Sequence, residues 1–348
     1  MNRTRALPKM NAAAIGRFGP PRALTLRSLP VPEPGPRQVL IALAGAGVGV
    51  WDTHVRDGSW WPGGRPRFPL VLGTDGAGVV VATGARVRRF SIGDRVWGTS
   101  TSGKGGFYAE YVAVDARTVG HVPRRLDLLH AAAAAATGVT ALQGIDDHLR
   151  VRPRETVAIF GASGAVGTLA VQFAKRRRAR VLAMVRGGRA AALVRRLGAD
   201  AVIDTRNGNA PERLRALAPN GIDAVLALAG GDALERCLRF VRPGGRVAYP
   251  DGVEPEPRRR RGVRLLVYNA ATGPREFARL ERAAAEARLR VPIAAIYPLA
   301  QVAKAHARLE RGHVLGRIVL RIRGHPVMRS HARRVQRGVW RPRPPMVG

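Results

Sequence analysis

A short glycine-rich loop, Gly161-Ala-Ser-Gly-Ala-Val-Gly167, is the segment of this chain whose residue types and spacing are best suited to chemistry. It follows the apolar run TVAIF and opens the run VGTLAVQFAK, which predicts a buried strand before it and a helix after it. In that setting the first glycine permits a tight turn, the middle one lets backbone N–H groups approach a pyrophosphate, and the last lets helix and strand pack closely. The phosphates would lie at the positive end of the helix. The predicted dinucleotide contacts are Gly161, Ser163, Gly164, Ala165, Val166 and Gly167.

The loop alone, with its GxxGxxG spacing, would also fit an ordinary strand-to-helix turn, so the elements around it decide. From Thr156 onward the pattern alternates strand and helix, which is typical of a parallel sheet covered on both faces. The predicted strands are Thr156–Phe160, Arg180–Val185, Ala201–Ile203, Ala224–Leu228, Arg246–Tyr249 and Arg264–Tyr268. The predicted helices between them are Val166–Arg177, Arg189–Leu197, Pro211–Leu217 and Ala233–Val241. Six strands fit a complete doubly wound dinucleotide fold.

The end of the second of these strands bears on the choice between NADH and NADPH. An NAD enzyme usually places an acidic residue there to hold the ribose 2′-hydroxyl. This stretch reads AMVRGGRAA, with Arg186 and Arg189 and without a carboxylate. Arginine can hold a 2′-phosphate through a planar, charge-assisted contact, so the pattern favours NADPH. Arginine is common throughout this chain, however, so its presence here by composition alone is the alternative.

The remaining segments predict a mostly β region from Ala12 to about Val122 and several further elements. The strands predicted in this region are Val39–Leu43, Gly78–Val81, Arg95–Trp97 and Tyr111–Val114. An alanine-rich helix is expected over Leu128–Leu149, with a break around Gly138. Helices over Phe277–Ala287 and Leu299–Glu310 and a strand over Arg317–Ile322 are expected to follow. Residues 1–9 and the basic tail 324–348 are expected to be disordered.

Taken in order, these segments resemble the medium-chain dehydrogenase/reductase superfamily and, within it, the zinc-free quinone oxidoreductase group. The resemblance runs from about Met10 to Arg323 and is carried by MNAAAIGRFGPP, PLVLGTDGAGVVVATGARVRRFSIGDRVWG, GGFYAEYVAV, AAAAAATGVTALQGI, GASGAVG, FVRPGGRVA and LAQVAKAHARLERGHVLGRIVLRI. It implies an α/β fold with a GroES-like, β-barrel-type catalytic domain over residues 10–126 and a doubly wound Rossmann domain for NADPH over 127–287. Residues 288–323 would return to the catalytic domain. The resemblance also implies a homodimer formed by edge strands of the dinucleotide domains.

The resemblance bears on metal binding as well. Gly49 stands where the related alcohol dehydrogenases carry a ligand cysteine, and Gly73-Thr74-Asp75 stands in place of their GHE pattern. The chain has a single cysteine, Cys237, and its eight histidines show no paired spacing such as HxxxH. Catalytic zinc needs three protein ligands and an open position, so no metal site is expected. His121, His130, His148 and His306 are interpreted as surface or capping residues.

Without a metal, hydride would pass to an acceptor that delocalises the developing charge, such as a quinone or an α,β-unsaturated carbonyl. His54, where the group often carries tyrosine, is the first candidate for a hydrogen-bond donor to the acceptor oxygen; the alternative is a half-exposed loop histidine. Asp52 in the same loop is expected to fix the backbone or orient a neighbour. Tyr108 is a donor candidate or a core residue, as is Tyr111. Trp51, Trp60 and Trp61 would form an aromatic wall for a flat acceptor or pack on each other.

The resemblance further places Thr137 and Thr140 near the nicotinamide. Asn269, after the sixth strand, is expected at the carboxamide or the substrate, or is a plain turn residue. The lysine that the group often uses to support the 2′-phosphate falls on Ala190 in this chain, with Arg189 one place away.

The net charge of +35 resembles that of nucleic-acid-binding proteins, but the four lysines leave 55 arginines that are scattered along the chain. A nucleic-acid partner is therefore not expected, and RNA binding or a structural role is kept as the alternative from another class. No run of about 18 uncharged apolar residues predicts a membrane span. The basic start has no apolar signal core, which points to the cytoplasm. The main hypothesis is an NADPH-dependent, zinc-independent quinone or enone oxidoreductase, and the enzymatic alternative is a zinc-free alcohol or aldehyde oxidoreductase.

Overall fold

A computed structural model of the chain describes residues 8–61, 65–100 and 106–322. The strands are β1 (Lys9–Ile15), β2 (Leu24–Pro30), β3 (Gln38–Val48), β4 (Leu70–Val71), β5 (Asp75–Thr83), β6 (Arg95–Thr99), β7 (Tyr111–Asp115), β8 (Val119–His121), β9 (Thr156–Phe160), β10 (Arg180–Val185), β11 (Ala201–Asp204), β12 (Ile222–Ala227), β13 (Val241–Pro250), β14 (Arg264–Tyr268), β15 (Ile293–Pro298) and β16 (Arg317–Arg321). The α-helices are α1 (Val50–Asp57), α2 (Leu128–Gln143), α3 (Ala165–Arg176), α4 (Gly188–Arg196), α5 (Ala210–Leu217), α6 (Asp232–Cys237), α7 (Pro274–Glu286) and α8 (Val302–Glu310).

The dinucleotide-type sheet has six strands in the order β11-β10-β9-β12-β13-β14, and every neighbouring pair is parallel. Successive side chains of a strand point to opposite faces, and the central strand β9 buries both sets. Val157 and Ile159 pack into the core formed with α2, α3 and α7, whereas Ala158 and Phe160 pack into the core on the other face, with α5 and α6. The strand order reverses between β9 and β12, and this is the place where such sheets open a ligand crevice at their carboxyl ends.

The other part of the molecule is built on a seven-stranded sheet and a three-stranded sheet. The larger sheet has the order β15-β16-β3-β5-β6-β8, with β7 paired to β3, and the smaller has the order β2-β1-β4. Strand β16 pairs antiparallel with β3, so the last described strand returns to the first part of the chain. The predicted α/β fold, a GroES-like part joined to a doubly wound sheet, is confirmed. The sequence did not predict β1, β2, β4, β8 or β15.

Helix α2 corrects one expectation, because it runs through Gly138 without the predicted break. A β-carbon on Gly138 would lie 2.9 Å from the nearest side-chain carbon of Leu280 on α7, so this glycine serves close helix packing. Asp127 begins the helix by accepting hydrogen bonds from the backbone N–H groups of Leu129 and His130. The stretch Leu128–His148 is long and apolar enough to cross a membrane by composition alone, but 72% of its most apolar window is buried, which identifies a core helix.

Other bounds differ at the ends of elements. Lys9, expected in a disordered extension, begins β1, and the carbonyl of Pro8 accepts a hydrogen bond from Val31. Helix α6 ends at Cys237, and the strand predicted from Arg246 begins at Val241. The predictions for residues 1–7 and for the tail 324–348 lie outside the described residues.

Candidate active site

A cleft of about 770 Å³ lies between the two parts of the molecule and continues into a second cavity of about 420 Å³. The larger cavity is lined by the glycine loop on one side and by β3, α1 and β16 on the other. The smaller one is mainly apolar and is lined by residues such as Val55, Leu70, Leu72 and Tyr268. The residues that line both are Trp51, Asp52, Trp60, Thr74, Ala136, Thr140, Pro250 and Asp251. The two cavities therefore adjoin at these residues.

The glycine loop has the geometry that its sequence predicts. Gly161 turns the chain after β9 with φ of 72°, in the left-handed region that favours glycine. A β-carbon on Gly167 would lie 2.3 Å from the carbonyl oxygen of Gly161, so only glycine fits between strand and helix there. A β-carbon on Gly164, at the start of α3, would meet only the Gly161 carbonyl oxygen, at 3.4 Å, because the position faces the cleft. The loop thus offers bare backbone and a helix N-terminus to a ligand.

The remaining loop residues divide into two sets. Ala165 and Val166 line the cleft beside the glycines. Ser163 is not among the lining residues; its carbonyl accepts a hydrogen bond of 2.9 Å from Gly316, which ties the loop to the chain entering β16.

Two exposed arginines follow strand β10, and a third arginine, which the sequence analysis did not single out, follows the adjacent strand β11. Arg186 and Arg189 are exposed and make no hydrogen bond or ion pair among the described residues. The stretch AMVRGGRAA has no carboxylate of its own, but Asp204 of the adjacent strand β11 brings one close and accepts a hydrogen bond from the backbone N–H of Gly187. Arg206 pairs with this carboxylate at 2.7 Å, and its hydrogen bonds lower the pKa of Asp204 to about 2. The three arginines and one neutralised carboxylate leave an excess of positive charge at this end.

Three further predicted residues face the cavities. Thr137 and Thr140 line the cleft from α2, and their hydroxyls donate to the carbonyls of Ala133 and Ala136 at 2.8 and 3.0 Å. Asn269 lines the smaller cavity, where its amide nitrogen is 3.2 Å from an Asp251 carboxylate oxygen.

Asp52 lies on helix α1 rather than in the expected loop, and its carboxylate is buried. One oxygen accepts from the backbone N–H of Gly49 and from the Tyr108 hydroxyl, at 2.8 and 2.9 Å. The other accepts from the backbone N–H and the hydroxyl of Thr74, at 2.8 and 2.7 Å. All four bonds come from the protein, so this carboxylate joins the start of α1 to the segment before β5.

A buried chain of hydrogen bonds continues behind Asp52. The interpretation of His306 as a surface or capping residue is wrong, since it is fully buried on α8, with Nε2 3.2 Å from the hydroxyl of Tyr108. Arg56, which can only donate, lies 3.3 Å from Nδ1 of the same ring, so Nε2 carries the proton and donates to Tyr108. Burial, aided by the charge of Arg56, lowers the pKa of His306 to about 3. Burial and the nearby Asp52 raise the pKa of Tyr108 well above its usual value, so the phenol stays neutral.

His54 occupies the rim of the larger cavity and is half-buried. Its Nδ1 lies 2.9 Å from the hydroxyl oxygen of Ser59, and its ring meets Trp51 edge-on at 5.9 Å. Trp51 also packs edge-on against Trp60, with ring centroids 5.3 Å apart, and both line the two cavities. Trp61 lines the smaller cavity and packs against Phe18.

Comparison with known proteins identifies the family to which the chain belongs. Residues 35–124 match the family model for the alcohol dehydrogenase GroES-like domain, and residues 197–320 match that for zinc-binding dehydrogenase. The chain is 32% identical over 324 residues to the quinone oxidoreductase of Lama guanicoe, a match that covers 89% of this chain and 97% of that relative. The chain belongs to the quinone oxidoreductase group of the medium-chain dehydrogenase/reductase superfamily.

Solved structures of this superfamily agree with the assignment. A structure described as an NAD-dependent alcohol dehydrogenase superposes with a TM-score of 0.84 at 30% identity, covering 90% of this chain and 100% of the other. A mycobacterial protein solved with NADPH gives a TM-score of 0.78 at 28% identity, covering 90% of this chain and 99% of the other. The chain is thus an oxidoreductase of this superfamily with a fold that binds nicotinamide dinucleotides.

One matching family model is described as zinc-binding, and the metal-ligating side chains of the described residues bear on it. No group of three or more histidine, cysteine, aspartate or glutamate side chains comes together among them. Gly49 and Thr74, which stand where the related alcohol dehydrogenases carry the ligand cysteine and the histidine of GHE, both line the larger cavity. Glycine offers no side-chain ligand, and the Thr74 hydroxyl donates to Asp52.

Sequence reasoning missed several residues of this site. Thr74, Arg56 and Arg317 carry no local motif, because partners such as Asp52, His306 and Asp75 are distant in sequence. Arg206 pairs with Asp204, only two residues away, but both lie at the end of strand β11 and not of the strand β10 on which the sequence analysis focused. His306 had a detectable signal: it shares the apolar face of α8 with Val302 and Ala305, a spacing that indicates burial.

Proposed function

We propose that this superfamily member transfers hydride from NADPH to a quinone or to an α,β-unsaturated carbonyl without a metal ion. The observation that carries the proposal is the junction of the two cavities, which joins a glycine-loop cleft to an apolar chamber walled by Trp51 and Trp60. The reduced nicotinamide supplies a hydride when it is bound. The protein's contribution is to hold donor and acceptor in contact and to exclude water from the junction.

The fit of a dinucleotide rests on the loop. The open face of Gly164 and the N-terminus of α3 suit a pyrophosphate, as described above. Thr137 and Thr140 lie further along the same cleft, toward the apolar chamber, where the nicotinamide end would lie.

The preference for NADPH rests on charge at the other end of the cofactor. Arg186 and Arg189 are exposed without partners among the described residues and are free to hold a 2′-phosphate. Arg206 is fixed by Asp204, with its guanidinium carbon 3.4 Å from where a β-carbon on Gly187 would be. The related mycobacterial protein solved with NADPH is consistent with this assignment.

At the acceptor end, the cavity provides an aromatic surface and a hydrogen-bonding side chain for the acceptor. Trp51 and Trp60, whose rings are inclined to each other by 61°, give aromatic surface on which a planar ring can pack. His54, at the rim, is the side chain assigned to deliver a proton to the reduced acceptor, since a ring nitrogen of imidazole can donate a hydrogen bond to an oxygen. Asp52 and Tyr108 are assigned a positioning role, because each is already hydrogen-bonded to other groups of the protein.

The test is consumption of reduced cofactor by the purified chain. NADPH and, separately, NADH are mixed with 1,4-benzoquinone, 9,10-phenanthrenequinone, 2-cyclohexen-1-one or benzaldehyde, with and without a chelator. We expect NADPH loss with a quinone or the enone that the chelator does not change. Turnover of benzaldehyde alone would instead indicate the alcohol or aldehyde oxidoreductase reaction, and failure to bind NADPH would contradict the proposal.

The same proposal includes the division of the chain at residues 127 and 288, a cytoplasmic location, and a homodimer formed through β14. This strand is the edge of the six-stranded sheet, and Val267 on it is 55% exposed. Two copies of an exposed edge strand can continue one sheet through both subunits. Light scattering on the purified chain tests the dimer, and a monomeric mass would contradict it.

A further inference from the structure

A third cavity, of about 420 Å³, shares no lining residue with either cavity of the cleft. It is formed where three stretches of the chain meet: the segment that enters α2, the last turn of α4 and the segment that leads from α7 to β15. Its volume is in the range that holds small molecules. The proposed hydride transfer uses no residue that lines it, so the cavity needs an explanation of its own.

The floor of the third cavity is apolar. Leu126, Leu197 and Val291 are buried side chains of the main hydrophobic core, and Leu193 and Leu289 pack against that core. Removal of apolar surface from water is favourable and does not depend on direction. The floor therefore suits the apolar body of a ligand.

The walls of the same cavity carry positive charge. Arg125, Arg196 and Arg290 all line it. The guanidinium groups of Arg125 and Arg196 are exposed and make no hydrogen bond or ion pair among the described residues. Arg290 donates to the backbone carbonyl of Arg196, at 3.4 Å, so its charge is also without a counter-ion there.

The negative charge beside these arginines is already engaged. Among the described residues that line the cavity, Asp127 has the only carboxylate. One of its oxygens accepts from the backbone N–H groups of Leu129 and His130, at 2.9 and 3.0 Å. The other lies 2.6 Å from Nδ1 of His130. The start of α2 thus holds this carboxylate, and the three guanidinium groups keep their capacity for an external anion.

We propose that the third cavity binds a small organic anion, with its apolar body on the leucine floor and its anionic head on the guanidinium groups of Arg125 and Arg196. A carboxylate, sulfate or phosphate head fits, because a guanidinium forms paired, charge-assisted hydrogen bonds with the oxygens of such groups. The inference does not depend on the proposed function and concerns a different part of the molecule.

The alternative is that these arginines only add to the general positive charge of a chain with 59 basic and 24 acidic residues. General charge attracts anions whichever arginine is removed, and it gives no advantage to an apolar body. A built site depends on particular arginines and on the length of the apolar body.

The experiment is a calorimetric titration of the full chain at neutral pH with octanoate and with octanamide, its neutral analogue of nearly the same shape. NADP⁺ is present throughout to compete for the cleft. We expect octanoate to bind at a saturable site about 10-fold or more tightly than octanamide, because hydrogen bonds to charged groups are the stronger ones. Butanoate, which has a shorter apolar body, should bind about 10-fold or more weakly than octanoate.

A pair of variants on one helix locates the site. Arg196→Gln should weaken octanoate binding by about 10-fold or more and octanamide binding by about 2-fold or less. Arg195→Gln is the matched control: it removes the same charge from an adjacent exposed position that does not line the third cavity, and it should weaken octanoate by about 2-fold or less. Arg125→Gln, on another stretch of the chain, should act like Arg196→Gln.

Thermal melting of each variant checks the fold. We expect unchanged melting, because the replaced side chains of Arg125 and Arg196 have no partner among the described residues. Absence of saturable octanoate binding, equal affinity for octanoate and octanamide, or equal weakening by Arg195→Gln and Arg196→Gln would each overturn the inference. None of these outcomes changes the test of hydride transfer, which is read from loss of NADPH.

Discussion

The two ends of the cleft are built in different ways. At the cofactor end, the ligand surface is backbone: a glycine turn, the N-terminus of α3 and the close approach of Gly167 to the preceding turn. At the acceptor end, the cavity is lined by side chains from distant parts of the chain, among them Trp51, Leu72 and Tyr268. Behind them, Asp52 is bonded to Tyr108. The cofactor loop is formed by seven consecutive residues, whereas the residues of the acceptor cavity come together only when the chain folds.

This difference explains which features the sequence could predict. The loop, the six parallel strands and the order of the elements follow from local rules, because glycine spacing and apolar periodicity act over a few residues. His306 was assigned to the surface because its partners Tyr108 and Arg56 are 198 and 250 residues away. Asp204 was not predicted for a related reason. It contacts Gly187 from the neighbouring strand β11, and that pairing of strands is not visible in the local sequence. Strand β15 reads IAAIYP, so its alternation of half-buried and exposed residues is not accompanied by an alternation of apolar and polar residues that the sequence could reveal.

The largest effects are expected from substitutions at two glycines of the cofactor loop, Gly164 and Gly167. Gly167→Val should destabilise the protein by about 3 kcal/mol or more, because its β-carbon would lie 2.3 Å from the Gly161 carbonyl oxygen. Gly164→Val should change stability by about 1 kcal/mol or less but weaken NADPH binding by about 100-fold, because its side chain projects into the cleft. Thermal melting and fluorescence titration with NADPH measure the two effects. Unchanged NADPH affinity in Gly164→Val would remove the loop from the cofactor site.

The acceptor end can be tested through pH. Unfolded histidine takes up a proton below about pH 6.5, whereas buried His306 does not until its pKa of about 3, so acid favours the unfolded chain in this window. The contribution is about 1.4 kcal/mol for each pH unit below 6.5, down to about pH 3. Urea unfolding at a series of pH values should therefore show a steeper loss of stability in the native chain than in His306→Gln, which keeps a donor and an acceptor. Parallel profiles would show that this histidine is not held neutral.

The smallest expected effect concerns the 2′-phosphate. Arg186→Glu should shift the ratio of NADPH to NADH affinity toward NADH by about 10-fold, since it replaces a partnerless cation with an anion where the phosphate would lie. Arg195→Glu, on the exposed side of α4, makes the same change in net charge and serves as the control. An equal shift in both variants would indicate general electrostatic attraction rather than a specific contact.

The central claim is that hydride crosses the junction between the two cavities without a metal. The most direct measurement is a single-turnover reaction, in which the chain is saturated with NADPH in the presence of a chelator and then mixed rapidly with 1,4-benzoquinone or 2-cyclohexen-1-one. We expect oxidation of about one equivalent of bound NADPH with at least one acceptor, at a rate that rises with acceptor concentration and is lost in Gly164→Val. Bound NADPH that survives mixing with both acceptors, or a reaction that the chelator abolishes, would contradict it.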